Sequence, residues 1–161
     1  MSVNKHLPHI LVLPEDDANR QLARGFVLDL PATTQKIRVL HPAGGWLNVL
    51  EQFKTDHLNY MMRFHSCFMV LLIDFDEQSD RLTIAKENIP SDLQDRVFIL
   101  GVWSEPEALR RANLGSFENI GLAMAKDCRE ETDMTWGHEL LRHNANELDR
   151  LCQQVRPILF Q

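Results

Sequence analysis

Phe68-Met69-Val70-Leu71-Leu72-Ile73 runs without a polar residue straight into Asp74-Phe75-Asp76. A short, continuously apolar run suits a strand covered on both faces, as a central strand of a parallel sheet is. The same run, counted from Cys67, falls far short of the roughly 20 residues that a membrane-spanning helix needs. The reading of this stretch decides the rest, because a buried parallel strand requires partners on either side and helices above and below.

Those partners are legible on both flanks. Upstream, Ile10-Leu11-Val12-Leu13 is a second apolar run, closed by Pro14-Glu15. Asp16 or Asp17 then offers an N-cap for a helix whose apolar face is Ala18, Leu22 and Phe26. After a loop at Pro31–Thr34, Lys36–Leu40 reads as a short strand, and His41-Pro42-Ala43-Gly44-Gly45 as a turn. Leu47, Leu50, Phe53, His57 and Met61 recur at helical spacing, predicting a helix from about Trp46. Downstream, Asp80–Glu87 reads as a polar helix and Arg96–Leu100 as a fourth strand. Ser104 is placed to cap the next helix, with Pro106 in its first turn and Glu107 completing a capping box.

The strand–helix alternation ends at Asn113. Phe117–Glu130 and Thr135–Val155 both read as helices. In the second, Leu141, Ala145, Leu148, Cys152 and Val155 form an apolar stripe for packing within the chain, or alternatively for the seam of a homodimer. Ile158-Leu159-Phe160 is expected to dock against the body. The expected fold is therefore α/β: a four-stranded, mainly parallel sheet flanked by helices over residues 9–113, with a helical extension over 114–161. With 161 residues and no linker, it reads as one domain.

Composition narrows the function classes. With 17 basic against 23 acidic side chains, the net charge of -6 gives no general attraction to nucleic acid or anionic membranes. A role on nucleic acid then requires a local basic patch or a basic partner. Cys67, Cys128 and Cys152 are far apart and form no CxxC pair, so neither a disulfide framework nor a zinc knuckle is expected. Free thiols fit a reducing cytoplasm, and the opening MSVNKHLPH lacks the apolar core of a signal peptide. His138 and His143 are five apart, whereas the helical zinc motif requires four. Trp46, Trp103 and Trp136 are expected to anchor the core or an interface.

The candidate site is the carboxyl edge of the sheet, where open parallel sheets bind ligands. Asp74 and Asp76, two apart in an extended segment, point to the same side, and Glu15 from a neighbouring strand completes a triangle. Close carboxylates repel one another, and Mg²⁺ relieves that repulsion while keeping several waters. Such an ion activates water and stabilises phosphoryl charge. The same acidic residues also serve as plain helix caps.

A strand ending in a glutamate, a glycine-bearing turn and a strand ending in DxD together resemble the Toprim domain of topoisomerases, bacterial primases and overcoming-lysogenization-defect nucleases. The resemblance covers about 9–113. It implies Mg²⁺ held by Glu15, Asp74 and Asp76, with metal-dependent phosphodiester or phosphoryl chemistry. The sequence departs from the family in having Asp16 where Gly is common, and no Lys or Arg in Gly101-Val102-Trp103-Ser104. Glu105 and Glu107 are nearby additional carboxylates. A second resemblance, through Ile10–Arg20, is to response-regulator receiver domains. It implies Asp74 as phosphoacceptor, Ser104 as the hydroxyl residue and Lys126 as the cation. The third reading is an adaptor that keeps the fold without the chemistry.

Overall fold

The computed structural model describes residues 3–31 and 35–160, so Ala32–Thr34 of the expected loop lie outside the described residues. Four strands, β1 (His9–Pro14), β2 (Ile37–Val39), β3 (Cys67–Leu72) and β4 (Val97–Leu100), form one sheet of order β2-β1-β3-β4. Every pairing is parallel, with Val12 opposite both Val39 and Val70, and Leu71 opposite Ile99.

Alternation along the strands sorts their apolar residues into two cores. Ile10, Val12, Val70, Phe98 and Leu100 face one side and pack beneath α1 (Asp17–Leu28), α5 (Pro106–Arg111), α6 (Phe117–Glu130) and α7 (Ala145–Leu159). Leu11, Leu13, Met69, Leu71, Ile73, Val97 and Ile99 face the other, beneath α2 (Trp46–Gln52), α3 (Leu58–Arg63) and α4 (Asp80–Glu87). Continuous apolarity in β3 is thus explained: both faces are covered.

Helices α1 and α6 approach closely enough that glycine is required at the crossing. A Cβ on Gly121 would collide with the Leu22 carbonyl, and one on Gly25 with that of Glu118. Between α2 and α3 lies a π-helical turn, Phe53–His57, where the periodicity predicted an unbroken helix. In a regular α-helix Met61 would sit about 80° round from Phe53. The wider turn lets both side chains reach full burial.

The C-terminal region differs more from expectation. The predicted helix Thr135–Val155 begins only at Ala145, after a 3₁₀ turn at Arg142–Asn144, and runs on to Leu159 with Pro157 inside it. The Asp127 carboxylate explains the delay: it accepts the main-chain N–H groups of Met134, Thr135 and Trp136 and the Thr132 hydroxyl, winding this segment around itself. The apolar stripe packs within the chain, with Leu141, Cys152 and Val155 buried in the core. Leu159 is buried and Phe160 lies against Phe26, so the terminal residues dock on the body. Among the described residues no helix is long and apolar enough to cross a membrane.

Candidate functional site

Strand order reverses direction at β1, with β2 on one side and β3 on the other, which makes the ends of β1 and β3 the topological switch point. Glu15 stands at that point and ties both sides together. Its N–H continues the ladder to the Leu72 carbonyl at 2.8 Å, while its carbonyl turns the other way to accept Gly44 N–H at 2.8 Å and Gly45 N–H at 3.3 Å. Both glycines have positive φ, 85° and 129°, so the expected turn uses the freedom that two glycines supply. The Asp74 N–H, which has lost the Glu15 carbonyl as a ladder partner, is taken by the Glu15 carboxylate at 2.5 Å. Glu15 and Asp74 are therefore brought together as expected.

Asp76 does not join them. Its φ of 52° and the 59° of Glu77 are left-handed, so the alternation that would aim Asp74 and Asp76 to one side stops there. The Asp76 carboxylate is largely exposed and pairs with Arg81 Nη2 at 3.2 Å. Among the described residues, no group of three or more His, Cys, Asp or Glu side chains is arranged to hold a metal ion.

Two residues that the sequence reading passed over organise the site instead. Asn19 is fully buried on α1, and its Nδ2 donates to Asp16 Oδ1 at 3.0 Å and to Asp74 Oδ1 at 2.8 Å. Asp16, the N-cap of α1, also accepts Asn19 N–H. An amide nitrogen thus spans the two carboxylates at the place a bridging cation would need. Arg81, 8% exposed, donates to the Asp74 carbonyl at 2.6 Å and lies 4.6 Å over the Trp46 ring. It clamps the Asp74–Asp76 turn to the start of α2. The signals were an Asn three residues after an Asp cap, and an Arg seven after Asp74 in a helix otherwise read as solvated.

The electrostatics follow from this arrangement. Burial pushes the Asp74 carboxyl up; the Asn19 hydrogen bond opposes it, and Glu15, Asp16 and Glu107 push it further, to about 7. Burial also raises Glu15, against the Asp74 N–H that favours its charged form; Asp16 adds to the rise, and Arg81 and the Trp46 N–H oppose it. Asp74 therefore holds its proton to much higher pH than an ordinary aspartate, which lessens the negative charge of the site.

The remaining residues of the expected site are placed as follows. Ser104 does not cap α5; Glu105 takes the N-cap position and pairs with Arg111 at 2.6 Å. The Ser104 carbonyl instead accepts the Asp76 N–H, continuing the β3–β4 ladder past both strands, and its hydroxyl is buried without a partner. Asp17 is exposed and pairs with Arg20, so Asp16 rather than Asp17 belongs to the site. Lys126 is exposed on α6 and not at a strand end.

Where a fifth strand would pair, the outer edge of β4 is met by side chains. Ile99 N–H donates to Glu147 Oε2 at 3.0 Å, Gly101 N–H to Asn144 Oδ1 at 3.1 Å, and Trp103 N–H to the Leu140 carbonyl at 2.8 Å. Asn144 Nδ2 returns a bond to the Gly101 carbonyl at 2.9 Å, and Arg150 reaches the Val97 carbonyl at 3.3 Å. Asn144, Glu147 and Arg150 recur every three residues, so one ridge of the helix serves as an artificial strand edge. His143 packs between Phe75 and Trp103 beside this seal, at ring distances of 4.9 and 5.3 Å. Compared with protein-family models, curated proteins and solved structures, the chain matches none.

Proposed function

We propose that this chain is a non-catalytic, receiver-like α/β interaction module in which the acidic edge is a proton-responsive joint. The observation that carries the reading is the Asn19 amide bridging Asp16 and Asp74, which occupies with a protein donor the space between carboxylates that a cation or phosphoryl group requires. Glu15 is engaged by a main-chain N–H and Asp76 by Arg81, which weighs against the three expected ligands acting together on Mg²⁺. The exposed position of Lys126 on α6 supports loss of phosphotransfer as well. What remains is a joint linking β1, β3, α1 and α4, whose charge changes near neutral pH.

Crowding of Glu15, Asp16 and Glu107 around Asp74 favours a second reading, metal-dependent phosphodiester or phosphoryl chemistry reached through a basic partner. Calorimetric titration of Mg²⁺ and Mn²⁺ into the wild type and Asp74→Asn separates the two. The module predicts no saturable heat in either protein, and no phosphoryl adduct after incubation with acetyl phosphate. One-site binding in the wild type that disappears in Asp74→Asn sinks it in favour of the metal site.

A further inference from the structure

Cys128, near the end of α6, and Cys152, in the middle of α7, are 24 residues apart in sequence, yet their sulfurs lie 2.7 Å apart. This is well inside the ordinary contact distance of two sulfur atoms. Both are free thiols, nearly buried at 4% and 8% exposure, and both line a cleft of about 660 Å³ between the two helices that is also bordered by Glu131, Arg142 and Arg156. Cys67 differs: it is fully buried under the other face of the sheet.

We propose that Cys128 and Cys152 form a reversible thiol–disulfide pair that staples α7 to α6 under oxidising conditions. The co-reactant is a small disulfide of the glutathione class, approaching through the cleft that both cysteines line. Deprotonated Cys128 attacks one sulfur of the small disulfide, forming a mixed disulfide and expelling one thiolate. Cys152 then gives up its proton and attacks Cys128 Sγ, closing the protein disulfide and expelling the second thiolate. Two protein thiols are oxidised, one small disulfide is reduced to two thiols, and the protons given up by Cys128 and Cys152 pass, directly or through solvent, to the two leaving sulfurs. The hydrogen bond shared by the two sulfurs favours one thiolate of the pair against burial, and the Arg156 guanidinium, which favours the charged form of both cysteines, adds to the effect.

The consequence reaches beyond the two sulfurs. Arg156 already joins the helices, donating to the Cys128 carbonyl at 3.0 Å and to Glu131 at 2.9 Å. Helix α7 carries Glu147 and Arg150, which seal the edge of β4. Oxidation therefore locks the element that substitutes for a fifth strand.

The test incubates reduced full-length protein with oxidised glutathione, quenches at low pH, then unfolds the protein in denaturant, blocks remaining thiols with N-ethylmaleimide and maps the peptides by mass. The expected product has a Cys128–Cys152 link, a single alkylated residue, Cys67, and full reversal by dithiothreitol. Its melting midpoint is about 5 °C or more above that of the reduced form. In Cys152→Ser, the glutathione adduct is expected to persist on Cys128. Three alkylated cysteines, a link to Cys67 or to a second chain, or a stable wild-type glutathione adduct would each overturn the proposal. Equal melting of the oxidised and reduced forms would overturn the stapling role.

Discussion

Glu15 and Glu147 do the same job at two edges of one sheet: each is a buried carboxylate that accepts a strand N–H, from Asp74 and Ile99 respectively. Their electrical settings are opposite. Burial alone would raise Glu147, but Lys86 at 2.7 Å, the Ile99 N–H and Arg150 at 2.9 Å outweigh it and hold the carboxyl below its ordinary range. At Glu15 burial wins: the Asp74 N–H and Arg81 oppose it without overcoming it, Asp16 adds to it, and the carboxyl is raised. One hydrogen-bond device therefore yields a permanent seal where cations surround it and a titratable joint where carboxylates do. The difference lies in the neighbours and not in the acceptor.

The sharpest way to break the comparison is Glu147→Ala. It strands the Ile99 N–H and leaves Lys86 and Arg150 without their shared counter-ion. We expect a loss of about 2–4 kcal/mol in urea unfolding, reduced from the full buried-pair value because both cations are partly exposed. A loss under about 1 kcal/mol would mean that packing of α7, and not its polar ridge, holds the edge.

Asp74→Asn tests the other side. A carboxyl raised from 3.8 to about 7 in the fold contributes stability that is complete below the unfolded value and is lost as pH rises through the folded one. Wild-type stability should thus decline between about pH 4 and pH 7 through this group. Glu147, lowered in the fold, contributes in the opposite sense, its share being lost as pH falls below its ordinary range. Asp74→Asn should flatten the slope between pH 4 and 7 and stabilise the protein above pH 7 by roughly 1–2 kcal/mol, allowing for solvent screening. An unchanged slope in the chemical-denaturation series would place the titration elsewhere.

Asp76→Asn gives the smallest effect. Its carboxylate is 59% exposed and meets Arg81 at 3.2 Å, so removing the pair should cost under about 0.5 kcal/mol in the same unfolding assay. A larger loss would make Asp76 part of the buried joint and would narrow the contrast between the two edges.

The pairing of Glu15 with Asp74 was legible because both follow apolar runs that read as neighbouring parallel strands, and the carboxyl ends of such strands converge. Asp76 was misplaced for an equally physical reason. The two-residue period holds only while the backbone stays extended, and nothing local in Asp74-Phe75-Asp76-Glu77 announces two consecutive left-handed residues. Asn19 and Arg81 escaped notice because a helix-borne amide and guanidinium look solvated until the partner 55 residues away, or the turn they close, is in place.

By itself the sequence determined the parallel sheet, its two covered faces and the carboxylates at its end, since hydrophobic period and strand-terminal residues are local properties. Only the tertiary structure decided what those carboxylates face. It set an amide between Asp16 and Asp74, cations around Glu147, and the sulfur of Cys152 against that of Cys128. Proton affinity and thiol reactivity are properties of neighbours, and these neighbours come from segments distant in the chain.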